Sequence, residues 1–184
     1  MTYPMEVSNR KILIDADVVS HFITGGEWEN LYKIFPNNKI YMLDKVHKEL
    51  QNWPLTRVKI LVSELLSKKF IKLMEFPENN IEIVREYAWI KSMQFKGDGE
   101  SACLAVAKYD KQILASSNLT DIKEYCQRHK IDYLTTMDFL CEALRTNLFT
   151  EQRCNDFITK ILYSRSRLPV KNMKEYHCRS ITFL

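Results

Sequence analysis

Oxygen-bearing side chains recur just after short apolar runs in this chain. Asp15 and Asp17 follow Ile12-Leu13-Ile14, and Asp44 and Glu49 follow Lys39-Ile40-Tyr41-Met42-Leu43. The turn Gly97-Asp98-Gly99-Glu100 leads two more acids into an apolar stretch. Ser116, Ser117, Asn118 and Asp121 come after the run 112–115, and Thr135, Thr136 and Asp138 after 132–134. If those runs are strands of one open parallel sheet, ligands bind just outside their carboxyl ends, where these side chains stand. Carboxylates gathered in a half-dry cleft repel one another and their pKa values rise. A divalent cation relieves that repulsion, and hard oxygen donors select Mg²⁺ or Mn²⁺. Two such ions about 4 Å apart would activate a water and stabilise the leaving oxygen of a phosphodiester. Each acid alone has a plainer reading. Asp15, Asp17 and Asp44 suit helix caps, and Glu49 and Glu100 suit solvent. Their joint placement is what points to metal chemistry.

The elements that must position them follow from periodicity. Continuous apolar runs predict buried strands at 11–14, 39–43, 71–74, 112–115 and 132–134. Helical spacing predicts a helix capped by Asp17 and carrying Val18, Val19, Phe22 and Ile23, broken at Gly25-Gly26. Further helices are expected through Trp28, Leu31, Ile34 and Phe35, from an Asp44 cap through Val46 and Leu50, and after Pro54 through Val58, Leu61, Leu65 and Leu66. Others are expected over 79–93, through Ala102 to Ala107, through Ile122 and Cys126, and over 138–146 and 151–163. Strands alternating with helices predict an α/β fold with a parallel sheet.

A chain of 184 residues at roughly 150 per domain makes one domain. Its 46% hydrophobic and 27% charged content is that of a globular protein, not a disordered one. We expect a main domain over 1–150 and a C-terminal helix and basic tail over 151–184, on or extending from the same domain. Of a formal net charge of +4, the tail holds the surplus: Lys160, Arg165, Arg167, Lys171, Lys174 and Arg179 face only Glu175. A near-neutral body with a basic tail suits a polyanion, because each cation placed at a phosphate releases counterions; a solvated tail is the plainer reading. The 5 cysteines lack CxxC spacing, which argues against a disulfide framework or zinc ribbon and for a reducing compartment. Charges at Glu6, Arg10, Lys11, Asp15 and Asp17 argue against a signal peptide, and no long apolar run predicts a membrane span. A soluble cytoplasmic protein is expected.

The motifs resemble those of a PIN domain, the metal-dependent nuclease fold of VapC-type toxins and of several RNA-processing enzymes. The resemblance covers about 11 to 150. Ile12-Leu13-Ile14-Asp15-Ala16-Asp17-Val18-Val19 is similar to the family's opening strand, with Asp17 where the family more often has Asn. Leu43-Asp44-Lys45-Val46-His47-Lys48-Glu49-Leu50 resembles the segment of the second acid, here Glu49. Gly97-Asp98-Gly99-Glu100-Ser101-Ala102-Cys103-Leu104-Ala105 resembles the helix opening that carries the third. Ser116-Ser117-Asn118-Leu119-Thr120-Asp121 is similar to the final strand-end motif, where the fourth ligand is Asn118, Asp121 or both, and many relatives have Asp at position 118. Ile131-Asp132-Tyr133-Leu134-Thr135-Thr136 fits the last strand and its hydroxyl-bearing turn. The resemblance implies a three-layer parallel-sheet fold and a Mg²⁺- or Mn²⁺-dependent endoribonuclease, with Asp15, Glu49, Glu100 and Asp121 catalytic. Asp98 and Asn118 would join them as metal ligands or sit behind them with Asp17. It also implies a toxin or stress and defence effector, a restraining protein partner and homodimers. The longer, helix-rich stretch between Leu50 and Gly97, and residues 151–184, have no clear counterpart.

Rival readings use the same residues. Asp15-Ala16-Asp17-Val18-Val19 also fits the opening signature of haloacid-dehalogenase-type phosphatases, with Asp15 as nucleophile and Asp17 as general acid. Ser116 and then Lys123 or Lys130 would have to follow, and the paired acids expected after the lysine are missing. A third reading is a non-catalytic scaffold that holds RNA or protein, against which the retained acids argue. A receiver domain fails on the order of its residues. His21, His47, His129 and His177 fall on separate elements, which disfavours a zinc site. Cys103 reads as a small core residue, and Trp28, Trp53 and Trp89 as core or partner-facing. Tyr163, Arg165 and Arg167 form an aromatic-basic patch able to stack on and neutralise single-stranded RNA, or simply a surface helix end. With Lys160, Lys171 and Lys174, the two arginines are the expected nucleic-acid contacts.

Overall fold

The computed structural model describes residues 10–94 and 97–184. Five strands, β1 (Ile12–Ile14), β2 (Ile40–Leu43), β3 (Lys72–Met74), β4 (Ile113–Ala115) and β5 (Tyr133–Leu134), form one sheet in the order β3-β2-β1-β4-β5. Every pairing is parallel. Successive residues of a strand point to opposite faces, and Ile12, Leu13 and Ile14 are all fully buried, as are Ile113, Leu114 and Ala115. Both faces of the central strands are therefore covered, the burial that an all-parallel sheet requires.

The covering helices are α1 (Ala16–Gly25), α2 (Leu31–Ile34), α3 (Asp44–Gln51), α4 (Thr56–Ser67), α5 (Ile81–Gln94), α6 (Asp98–Tyr109), α7 (Leu119–His129), α8 (Thr136–Arg145) and α9 (Glu151–Tyr163). Strands and helices fall within a few residues of the spans read from periodicity. The stretch between Leu50 and Gly97 supplies α4, the edge strand β3 and α5. The first helix starts earlier than its sequence pattern implies. Asp15, not Asp17, is its N-cap, accepting the Ala16 N–H at 2.8 Å. Gly26 closes that helix in the left-handed region, with φ 79°.

The winding is what matters for a site. From β1 the chain builds outward through β2 to the β3 edge, then returns to lay β4 on the other side of β1. The direction reverses between β1 and β4, and a crevice opens outside the carboxyl ends of those two strands. Register fixes what lines it. Ile14 pairs with Ala115, and the Asp15 N–H donates to the Ala115 carbonyl at 2.8 Å, so Asp15 emerges directly beside Ser116.

Residues 151–184 fold onto the same body. Phe157 of α9 stacks into α1 beside Phe22, with ring centroids 5.1 Å apart, and lies over Gly25. The segment beyond α9 buries Met173, whose N–H donates to Asn155 Oδ1 at 2.8 Å. Arg179 then forks onto the buried carboxylate of Asp138 through Nε and Nη2, each 2.8 Å from its oxygen. One expectation is overturned here: Cys141 and Cys178 form a disulfide across 37 residues. Spacing along the chain could not reveal it, because α8 and the returning tail meet only in the fold. Cys103, Cys126 and Cys154 are buried and lie outside that disulfide. Among the described residues, no helix is long and apolar enough to cross a membrane.

Candidate active site

Four carboxyl groups, from the end of β1 and from α1, α3 and α6, converge on the crevice. Asp15 leaves β1 and is 6% exposed. Asp17 lies in the first turn of α1, where Oδ1 accepts the Val18 N–H at 2.6 Å and Oδ2 accepts the Ser117 N–H at 2.7 Å. Glu100 is buried in the first turn of α6, and Glu49 comes from α3. Burial raises the Asp15 carboxyl well above its ordinary pKa, and the negative charges of Asp17, Glu100 and, more weakly, Glu49 add to it. Burial likewise lifts Asp17 to about 6, against the pull of the N–H groups it accepts. Cys103, one turn beyond Glu100, is an independent witness. After burial, the charges that raise its thiol most are those of Asp15, Glu49, Glu100 and Asp17. That thiol stays protonated, in keeping with a core residue rather than a nucleophile.

Two glycines let the third and fourth acids meet. Glu49 Oε1 accepts the Gly99 N–H at 2.9 Å. A Cβ on Gly99 would lie 2.7 Å from Glu49 Oε2 and 2.9 Å from Val46 Cγ2, and one on Gly97 would lie 2.9 Å from Glu49 Oε1. Only bare backbone permits the start of α6 to approach α3 this closely. The first turn of α6 also offers its positive end to the acids around it.

The other candidate ligands take different places. Asp98 faces outward, ion-paired with Lys91 and accepting the Tyr87 hydroxyl at 3.0 Å, and the Lys91 ammonium holds its carboxyl below the usual range. Asn118 Nδ2 donates to Glu100 Oε1 at 3.3 Å and to Asp121 Oδ2 at 2.6 Å. Asp121 itself is exposed and meets the cluster through Asn118. Asp44 opens α3 and accepts the Lys45 and Phe76 N–H groups, stitching β2 to the chain beyond β3. Of the basic tail, Lys160 donates to the Gly25 carbonyl at 3.2 Å. Gly25 ends the 10-residue α1, roughly 15 Å along the helix from Asp15. Arg165, Arg167 and Lys171 are exposed beyond it, and Lys174 stands 3.9 Å from Glu151. The structure thus gathers Asp15, Asp17, Glu49 and Glu100, and sets Lys160 at the far end of α1.

A group outside the predicted set adjoins the cluster. His21, 6% exposed and one turn after Asp17, has Nδ1 2.8 Å from Thr136 Oγ1. Burial lowers its imidazole to a pKa of about 4. Thr136 is joined to Ser117 twice, its N–H donating to Ser117 Oγ at 2.8 Å and the Ser117 hydroxyl donating to Thr136 Oγ1 at 2.7 Å. The i, i+4 spacing of Asp17 and His21 was the available signal; the partner 115 residues away was not.

For Mg²⁺ or Mn²⁺ the donor chemistry fits: the converging side chains offer only hard oxygens, and burial together with the negative charges of Asp17, Glu100 and Glu49 raises the Asp15 carboxyl. Yet among the described residues, no three His, Cys, Asp or Glu side chains are arranged to hold a metal ion. Glu49 accepts from Gly99, Glu100 from Asn118 and Asp17 from Ser117, and a carboxylate held by one such N–H can still ligate a cation, which would draw these side chains together. A phosphatase would need a lysine at the cluster. The charges acting most strongly on Asp15 are all negative, and Lys130 lines a cavity with Arg10 and Lys111 near the starts of β1 and β4.

Neither a family model nor a curated protein matches the chain. Among solved structures, a chain of VapBC2 from Rickettsia felis, bound to a DNA fragment from their promoter, is similar with a TM-score of 0.50. The match covers 67% of this chain and 97% of that one, at 15% sequence identity. At that identity the likeness speaks to fold, and together with the five parallel strands under helices on both faces it makes this an α/β chain with a PIN-like fold.

Proposed function

We propose that the chain is a Mg²⁺- or Mn²⁺-dependent endoribonuclease. The observation that carries this reading is the convergence of Asp15, Asp17, Glu49 and Glu100 at the switch point of the sheet, where burial raises the Asp15 and Asp17 carboxyls and the neighbouring negative charges raise Asp15 further. Those four side chains would hold the cation, with Asn118 and Asp121 beside them and Asp98 outside. When bound, the cation supplies an activated water and stabilises charge on the leaving oxygen. The protein's own share is placement. The Gly99 N–H orients Glu49, the Asn118 amide orients Glu100, and the Ser117 N–H orients Asp17. No protein nucleophile is required, and the exposed Arg165, Arg167 and Lys171 would hold RNA backbone away from the cut bond.

The neighbour of similar fold was seen as VapBC2 on promoter DNA. By that likeness we extend to this chain a protein partner that restrains it, a toxin or stress-effector role and self-association. Incubation with total RNA and Mn²⁺, with and without EDTA and beside Asp15→Asn, tests the nuclease. Cleavage is expected only for the wild type with metal, and intact RNA at every Mn²⁺ concentration overturns the proposal. Hydrolysis of para-nitrophenyl phosphate that disappears in Asp17→Asn would favour the phosphatase instead.

A further inference from the structure

We infer that His21 and Thr136 are positioning residues of this site, a buried relay that fixes the Ser117 main chain and, through its N–H, the aim of the Asp17 carboxylate. The inference rests on the nuclease reading and adds to it residues that touch neither cation nor substrate. The relay is a closed ring through three strand-end segments. Asp17 and His21 share one face of α1, one turn apart. His21 meets Thr136 at the β5–α8 junction, Thr136 holds Ser117 after β4 by two bonds, and Ser117 returns to Asp17 through its N–H at 2.7 Å. Thr136 is wholly buried and His21 nearly so.

The donor count at the two hydroxyls points to one arrangement. Asp17 only accepts. The Ser117 hydroxyl donates to Thr136 Oγ1, so the Thr136 hydroxyl is left to donate to a bare His21 Nδ1, with the imidazole proton on Nε2. Burial keeps that imidazole neutral near pH 7. Removing the hydroxyl breaks two bonds at Thr136 and leaves Ser117 held there by the Thr136 N–H alone. The Ser117 N–H that points Asp17 beside Asp15 is then less firmly placed. Side chains that orient a metal ligand in this way typically change metal affinity by roughly 10- to 100-fold.

The test is Mn²⁺ titration calorimetry, paired with thermal melts in EDTA and RNA-cleavage kinetics. Thr136→Val keeps the shape and loses the hydroxyl. It should weaken Mn²⁺ binding about tenfold or more and lower kcat in step, with KM for RNA unchanged. Thr136→Ser should restore both. In a second pair, His21→Leu should behave like Thr136→Val, and His21→Asn, which offers an acceptor near the Nδ1 position, should recover most of the loss. This pair decides the matter should Thr136→Val fail to fold. Wild-type Mn²⁺ affinity in Thr136→Val or His21→Leu, or no rescue by Thr136→Ser, overturns the positioning role and leaves the nuclease reading standing. A wild-type protein that binds no Mn²⁺ and cuts no RNA overturns both.

Discussion

Asp17 is ionised with difficulty. Its carboxyl is lifted from the ordinary 3.8 to about 6, chiefly by burial, although the Ser117 and Val18 N–H groups favour the charged form. Below pH 3.8 the group is protonated whether the chain is folded or not, and its contribution to stability is at its maximum. As the pH rises toward 6 the unfolded chain ionises and the folded one does not, so stability is lost across that window. The loss amounts to about 3 kcal/mol at neutral pH. Asp17→Asn removes that penalty, and its amide oxygen can still accept from Ser117. In EDTA the variant should be more stable than wild type by about 2–3 kcal/mol at pH 7 and equal to it near pH 4, measured by urea unfolding. The same variant should lose metal-dependent cleavage, the usual trade between stability and a strained site. A variant no more stable than wild type at pH 7 would mean that burial does not penalise the Asp17 carboxylate.

Elements meet in this protein where side chains are missing as often as where they are large. Gly25, which the sequence offered only as a helix break, lies under the Phe157 ring: a Cβ there would sit 2.2 Å from Phe157 Cδ2. Gly25→Ala should therefore force α9 away from α1 and destabilise by about 1–3 kcal/mol, even though alanine is the better helix former. Combined with Phe157→Leu, the alanine should do less harm than alone, a coupling that a double-mutant cycle reads directly. Simple additivity would refute the contact. The same scale explains what the sequence could and could not tell. Buried strands were legible because continuous apolar runs in an alternating α/β pattern leave few alternatives. Asp98 and Glu100 looked equivalent at a helix start, but two residues turn a helix by roughly 200°, so only one can face the crevice, and the phase is set by packing. The start of α1 was misplaced because Asp15 and Asp17 both suit a cap, and only the sheet register fixes where β1 ends. The role of His21 was not legible because its partner Thr136 joins it through the fold alone.

At the scale of the whole molecule, the C-terminal segment is a strap, and its grip is electrostatic as well as covalent. Asp138 is 1% exposed, and both oxygens receive the Arg179 fork while Oδ2 also accepts from the Thr135 N–H and hydroxyl. It is at once the capping-box acid of α8 and the counter-charge of the tail. Next to Arg179, Cys178 is bonded to Cys141 of α8 and closes a loop of 37 residues. A crosslink of that span restricts the unfolded chain enough to stabilise the native one by up to about 4 kcal/mol. A Cys141→Ser/Cys178→Ser pair should accordingly lower the melting temperature by roughly 8–15 °C, and dithiothreitol should do the same to wild type but nothing to the pair. The ion pair gives the strap a second hold, so the serine variant should keep its tail docked. Adding Arg179→Ala should then release it, leaving a buried carboxylate without its counter-charge and costing a further 2 kcal/mol or more, roughly. Limited proteolysis distinguishes the stages: tail cleavage should be slow in the serine pair and fast in the triple variant. Fast cleavage in the serine pair would show that the disulfide alone holds the strap and that the Arg179–Asp138 pair contributes nothing to docking.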